Sequence, residues 1–143
     1  WRQPLNNTMS MYYSIYKSFN LIDENEKYDY IVRSRFDIDF SVFNPKLNGV
    51  LQIPKWHNDE RVLNKGLHDA FAVGTPEDMK TYSSLFSYII SYVSNDERYM
   101  KFLSGGWPYQ DSPLRNEYLL KWHLVNHTVN HEIFETKNLG IIR

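Results

Sequence analysis

The chain contains no cysteine among its 143 residues. This absence excludes disulfides and thiolate zinc sites, and it fits a reducing compartment, so we expect a cytoplasmic protein. An excess of positive charge is also missing, since the formal net charge is −1. Without a basic field, we expect no nucleic-acid partner. The apolar runs are too short to cross a bilayer, so we expect no transmembrane segment.

Glycine and proline are sparse, with six of each. Neither a low-complexity tract nor a linker divides the chain, and no internal repeat is visible. Hydrophobic residues make up 42% and aromatic residues 16% of the sequence, a composition typical of a globular protein. The length suffices for one domain with its own core. We therefore predict a single domain over residues 1–143.

Periodicity in the first half predicts a helix followed by short strands. In residues 8–22, Met11, Ile15, Phe19 and Ile22 fall on one helical face. Asn7 or Thr8 is suited to cap this helix. Runs of β-branched and aromatic residues predict strands at 28–33, 50–53 and 70–73, the first of them buried.

Thr75-Pro76-Glu77-Asp78 is the clearest helix start in the sequence. One apolar face then runs to residue 93, formed by Met79, Tyr82, Phe86, Ile89 and Val93. We expect further helices over 95–104 and from Ser112-Pro113 onward. The last of these would turn Leu119, Trp122 and Val125 toward the core, and residues 129–142 would hold short strands or irregular structure. Strands alternating with helices predict an α/β fold.

The segment Arg33-Ser34-Arg35-Phe36-Asp37-Ile38-Asp39 carries the strongest chemical signal. Carboxylates spaced as Asp-x-Asp after a strand suit Mg²⁺ or Mn²⁺, which keep positions open for phosphate oxygens. Arg33 and Arg35 alternate onto one side of a strand and suit the same anionic ligand. Two alternatives stay open: the aspartates can be turn-forming residues at a strand end, and the arginines can pair with nearby acids.

The order of these parts resembles glycosyltransferases of the GT-A type, such as those of bacterial polysaccharide clusters and large DNA viruses. The resemblance rests on residues 11–17, 28–39, 69–74 and 113–120 and spans nearly the whole chain. It implies a mixed sheet with flanking helices. It also implies that the first strands of the domain precede Trp1, so that this chain is its C-terminal two-thirds. In residues 113–120 the proline and glutamate stand four apart, where the family pattern often has them adjacent.

The resemblance further implies a reaction. Asp37 and Asp39 would hold Mn²⁺ or Mg²⁺ on the diphosphate of a nucleotide-sugar donor, with Asp39 the more direct ligand. Arg33 and Arg35 would bind the same diphosphate. The sugar would move to a hydroxyl of a glycan acceptor, and in an inverting reaction a carboxylate would take the hydroxyl proton.

Four residues are candidates for the remaining roles. Asp69 is the first candidate for the base and Glu117 the second, although Asp69 can simply cap a turn and Glu117 suits the first turn of any helix. Trp56 and Trp107 lie in polar or Gly-Pro stretches, so we expect them to stack on a sugar face.

Other functions are compatible with the sequence. Asp37-Ile38-Asp39-Phe40-Ser41 and Gly74-Thr75-Pro76-Glu77-Asp78 loosely fit a phosphatase of the haloacid-dehalogenase type, and a non-catalytic carbohydrate-binding domain is a further alternative. His123, His127 and His131 recur every four residues, but Thr128 and Val129 predict a helix end near His127, against a zinc site. One of these histidines, or His57 or His68, could complete the metal site at Asp39.

Overall fold

A computed structural model describes residues 5–37, 45–55, 66–104 and 113–134. The described residues form a mixed four-stranded sheet with flanking helices, which confirms the predicted α/β class. The strands are β1 (Ile31–Ser34), β2 (Leu51–Pro54), β3 (Phe71–Gly74) and β4 (His131–Phe134). The helices are α1 (Leu5–Phe19), α2 (Pro76–Ser84), α3 (Ile89–Asn95), α4 (Glu97–Ser104) and α5 (Asn116–Asn126). Of these helices, none is long and apolar enough to cross a membrane.

The described strands lie in the order β1-β3-β2-β4. β3 is antiparallel to both β1 and β2, whereas β4 runs parallel to β2. β2 and β3 are buried along their whole length. The expectation of a buried first strand was wrong, because β1 lies at one edge of the described sheet and the side chain of Val32 is 57% exposed.

Helix α1 begins at Leu5, before the predicted caps, and ends at Phe19. Thr8 therefore lies inside the helix, where its buried hydroxyl donates to the backbone oxygen of Leu114 at 3.1 Å. The predicted apolar face is largely correct, since Ile15 is buried and Met11 and Phe19 are partly buried against the core. The hydrogen bond of Thr8 attaches α1 to the segment that leads into α5.

The predicted cap at Thr75 is confirmed. Its hydroxyl accepts a hydrogen bond from the backbone nitrogen of Asp78 at 3.3 Å, and Pro76 opens α2. The helix is not continuous to residue 93, however, because a 3₁₀ turn at Leu85–Ser87 separates α2 from α3. The turn shifts the buried face, which now consists of Met79, Tyr82, Leu85, Ile89 and Tyr92.

His123 on α5 contacts the last turn of α2. Its Nε2 lies 2.9 Å from the backbone oxygen of Thr81, to which the Ser84 hydroxyl also donates at 2.8 Å. This contact joins α5 to the end of α2, next to the 3₁₀ turn.

Helix α5 begins at Asn116, later than Ser112-Pro113 predicted. Leu119 is buried as expected and Trp122 is partly buried against the core. The prediction for Val125 was wrong, because its side chain is 51% exposed. Leu120 and Leu124 take the buried positions instead, so the core face of α5 is rotated from the predicted one. β4 confirms a short strand in the predicted tail.

Candidate functional site

Charged residues from two neighbouring strands meet where β1 ends and β3 begins. The backbone nitrogen of Arg35 donates to the backbone oxygen of Ala70 at 2.9 Å, which extends the β1–β3 ladder past Ser34. Asp69 directly precedes Ala70. The pairing therefore brings the arginine-rich end of β1 next to Asp69, although the two segments are far apart in the sequence.

Asp69 is held by the first residue of α5. The side-chain Nδ2 of Asn116 donates to Oδ2 of Asp69 at 3.2 Å. The backbone also links these segments, since the nitrogen of Leu67 donates to the oxygen of Glu117 at 2.9 Å. Gly66 permits this close approach, because a Cβ atom there would lie 2.7 Å from Cβ of Glu117. Residues 66–69 thus lie directly against the start of α5.

Two buried tyrosines line the inner side of this cluster. The hydroxyl of Tyr12 donates to the backbone oxygen of Asn116 at 2.9 Å, and the hydroxyl of Tyr82 lies 3.4 Å from the backbone oxygen of Asp69. Burial, assisted by the charge of Asp69, raises the pKa of Tyr12 well above its ordinary value. Burial raises the pKa of Tyr82 to about 12, with Arg33 opposing the shift and Asp69 adding to it. Both phenols therefore stay protonated and act as hydrogen-bond donors.

Arg33 faces the same cluster from β1. It pairs in register with buried Ala72, and its charge acts on both tyrosines together with that of Asp69. Among the described residues, Nη1 of Arg33 is buried without a hydrogen-bond partner. A buried donor left unpaired is rare in folded proteins, so a water molecule, an ion or a ligand is expected to supply its partner.

A groove of about 730 Å³ between α1 and β1 leads to Arg33. Its lining is mostly apolar and includes Met11, Ile15 and Met79. Met11 also touches the Asp69 cluster, because its Sδ lies 3.4 Å from Nδ2 of Asn116. Met11 therefore lies between the groove and the Asp69 cluster, although neither Asp69 nor Asn116 lines the groove itself.

Arg35 and Asp37 form an ion pair after the end of β1. Nε of Arg35 lies 2.9 Å from Oδ1 of Asp37, and Nη2 lies 2.6 Å from Oδ2. The hydrogen bond from Arg35 lowers the pKa of the Asp37 carboxyl below its ordinary value. Of the alternatives that the sequence left open, the structure shows for Arg35 the ion pair with a nearby acid.

The described residues do not by themselves form a complete site for a divalent ion. In the part of the chain that the structure describes, no group of three histidine, aspartate or glutamate side chains could hold a metal. Both carboxylate oxygens of Asp37 contact Arg35. Asp39, the principal predicted ligand, lies outside the described residues, as do Trp56, Trp107 and His57.

Glu117 is close to the site but engaged elsewhere. Its Oε2 lies 3.6 Å from Nε of Arg115, so its charge is paired. Among the described residues, Asp69 forms no ion pair and accepts a hydrogen bond from the neutral amide of Asn116 instead. The geometry therefore favours Asp69 over Glu117 as a proton acceptor.

Two further sequence patterns have structural explanations. Asp78, which the phosphatase hypothesis requires, accepts a hydrogen bond from the Thr75 hydroxyl at 3.0 Å within the cap of α2. The three histidines do not align on one helix, because α5 ends at Asn126 and His131 lies on β4. His68 also has a local role, since its Nδ1 accepts a hydrogen bond from the Ala70 nitrogen at 3.2 Å.

Sequence reasoning missed Asn116, Tyr12 and Tyr82 as parts of this site. The one signal in the sequence that could have indicated Asn116 was its position next to the candidate Glu117. The sequence predicts Tyr82 only as part of an apolar helical face, and only the fold shows that the hydroxyls of Tyr12 and Tyr82 face polar groups. Comparison of the chain with family models, with curated proteins and with solved structures gives no match. The functional interpretation therefore rests on the geometry of Asp69, Arg33 and Asn116.

Proposed function

We propose that this protein is a glycosyltransferase of the GT-A type, which moves a sugar from a nucleotide-sugar donor to a hydroxyl of a glycan acceptor. The proposal rests mainly on two groups that lie in one cluster: an oriented carboxylate and a guanidinium with an unpaired donor. Asn116 fixes one oxygen of Asp69, and Arg33 presents a buried Nη1 without a partner among the described residues. Transfer of a sugar from a diphosphate needs a base for the acceptor and positive charge for the leaving group.

The chemistry assigned to Asp69 is general-base catalysis in an inverting transfer. The acceptor oxygen forms a bond to the anomeric carbon, and the bond from that carbon to the phosphate oxygen breaks. The nucleoside diphosphate leaves with the electron pair, and the acceptor proton passes to Asp69. Oδ1 of Asp69 has no hydrogen-bond partner among the described residues, which supports this role.

Arg33 and Arg35 are assigned to the diphosphate. Guanidinium groups bind phosphate oxygens through paired, charge-assisted hydrogen bonds. Arg33 has an unpaired donor, and the half-exposed side chain of Arg35 is held by Asp37. An incoming diphosphate can therefore replace Asp37 at Arg35.

In this proposal Asp39 is the principal ligand of Mn²⁺ or Mg²⁺, and Asp37 the second once Arg35 has moved to the phosphate. When bound, such an ion would stabilise the charge that develops on the diphosphate. Trp56 and Trp107 stay predictions for sugar stacking, and Glu117 is the alternative base. The cytoplasm stays the predicted location.

Calorimetric titration with UDP and with GDP, each with and without Mn²⁺, tests the function. We expect one of them to bind in a Mn²⁺-dependent way. Asp39→Ala should abolish the metal-dependent part and Asp37→Ala should weaken it by a smaller step. Asp23→Ala, in an exposed turn, is the matched control and should leave binding unchanged.

Two results would reject the assignment. One is the absence of binding of either nucleotide to the wild type. The other is metal-dependent affinity that Asp39→Ala leaves unchanged while its circular dichroism matches the wild type.

A further inference from the structure

In the carboxamide of Asn116, only the nitrogen has hydrogen-bond partners among the described residues. Its nitrogen donates to Asp69 and lies near Met11 Sδ, at 3.2 and 3.4 Å. The side chain is 8% exposed, and its Oδ1 is buried without a hydrogen-bond partner among the described residues. A buried acceptor without a donor destabilises the protein unless something else supplies the donor.

The orientation of this amide follows from chemistry. A carboxylate accepts hydrogen bonds and does not donate them. The nitrogen of Asn116 must therefore face Asp69, because the reverse orientation would place two oxygens against each other. Oδ1 is then turned away from Asp69 as a pure acceptor, and its partner must be a group that carries N–H or O–H.

The position of Asn116 is set by the fold. Its backbone oxygen accepts a hydrogen bond from the buried Tyr12 hydroxyl at 2.9 Å. The hydroxyl of Thr8, one turn earlier on α1, donates to the backbone oxygen of Leu114 at 3.1 Å. Helix α1 thus fixes the start of α5, and Oδ1 is held in place before any ligand arrives.

We propose that Oδ1 of Asn116 accepts a hydrogen bond from a sugar hydroxyl, and that Asn116 thereby determines which sugar the site accepts. This inference rests on the proposed function. A sugar ring carries neighbouring hydroxyls, so one can donate to Asn116 while another approaches Asp69. A site built to bond a hydroxyl discriminates strongly against a ligand that lacks it, because the buried acceptor would stay unpaired.

The sugar hydroxyl can belong to the donor or to the acceptor, and two binding measurements separate these sources. The first measures the affinity of UDP or GDP and of the nucleotide sugars that contain it, with Mn²⁺ and without acceptor. These nucleotide sugars are UDP-glucose, UDP-galactose, UDP-N-acetylglucosamine and GDP-mannose. The second follows, by NMR, the binding of the methyl glycosides of the same sugars to protein loaded with the nucleoside diphosphate. Both measurements are made on the wild type, on Asn116→Ala and on Asn95→Ala. The last variant is the control, because Asn95 is an exposed asparagine on a helix.

We expect Asn116→Ala to weaken sugar binding about tenfold in one measurement, as for a lost hydrogen bond. The nucleoside diphosphate alone should bind as tightly as before, and Asn95→Ala should change nothing. A change in the first measurement assigns the donor sugar, and a change in the second alone assigns the acceptor.

If neither measurement changes, or if Asn116→Ala weakens the nucleoside diphosphate and the nucleotide sugar alike, the inference is overturned while the proposed function stands. Failure of the wild type to bind either nucleoside diphosphate rejects both. Should Asn116→Ala not fold, deoxy analogues of the best-bound sugar test the wild type directly. Removal of one particular hydroxyl should cost about tenfold in affinity, and equal affinity for every deoxy analogue would overturn the inference.

Discussion

Nδ2 of Asn116 lies 3.2 Å from Oδ2 of Asp69, although 47 positions separate the two residues. This hydrogen bond joins the start of α5 to the start of β3. The carboxylate is therefore oriented by a neutral donor, while the charge of Arg35 acts on it from the end of β1. An oriented carboxylate of this kind is suited to accept a proton from a ligand.

Replacement of Arg33 by methionine should weaken binding of nucleoside diphosphates without lowering stability. The guanidinium has a buried Nη1 with no partner among the described residues, so its removal relieves a cost of desolvation. Loss of one charge-assisted hydrogen bond to phosphate should reduce affinity by about tenfold to a hundredfold. Calorimetry gives the affinity and urea unfolding gives the stability.

Arg98→Met is the control for this change, because Arg98 is exposed, pairs with Asp96 and does not line the groove between α1 and β1. It should leave nucleotide affinity unchanged. A drop in stability for Arg33→Met, with affinity retained, would show that Arg33 is a structural residue only.

Replacement of Gly66 by alanine should destabilise the site. The new Cβ would lie 2.7 Å from Cβ of Glu117, so the start of α5 would have to move. Overpacking of this kind costs about 1–3 kcal/mol in the free energy of unfolding. Gly74→Ala is a graded control, because its nearest atom, at 2.9 Å, is Cδ1 of Leu51, which lies at the end of a side chain rather than next to the backbone. A larger loss of stability for Gly74→Ala than for Gly66→Ala would contradict the packing described for residues 66–69.

His123 should make the stability of the protein depend on pH. Burial lowers its pKa to about 4. Its Nδ1 lies 2.9 Å from the Tyr92 hydroxyl and its Nε2 2.9 Å from the Thr81 carbonyl, while the His127 ring packs beside it. Because Thr81 offers only an acceptor, Nε2 carries the proton of the neutral ring and Nδ1 accepts from Tyr92.

The sign of the pH effect follows from this lowered pKa. The unfolded chain takes up the proton near the ordinary value of 6.5 and the folded chain only near 4, so stability is full above the higher value and falls between the two. The loss should amount to about 3 kcal/mol. Urea unfolding at several pH values measures it. His123→Leu should flatten the profile in this window, while the same change at half-buried His131 should not, and an unchanged slope in His123→Leu would contradict the assignment.

Local signals predicted local structure well in this chain. The cap formed by Thr75 and Pro76 was correct because its chemistry lies within four residues. The continuous helix after it was not, because a 3₁₀ turn at Leu85–Ser87 interrupts it without a glycine or proline to mark the turn in the sequence. Val32 was expected inside and lies at a sheet edge, since strand order is a property of the whole fold. Asn116 was missed for the same reason: its partner, Asp69, is near it only after folding.

The role of Asp69 is tested most directly by the rate at which nucleoside diphosphate is released from its nucleotide sugar. This rate is measured for the wild type and for Asp69→Asn at saturating donor. The acceptor is a glycan or water. Asp69→Asn keeps the shape of the side chain and removes the base. Loss of the base should lower this rate by about a hundredfold or more, with donor affinity nearly unchanged. A rate close to that of the wild type would contradict the role of Asp69 and would move the base to Glu117 or favour a retaining mechanism.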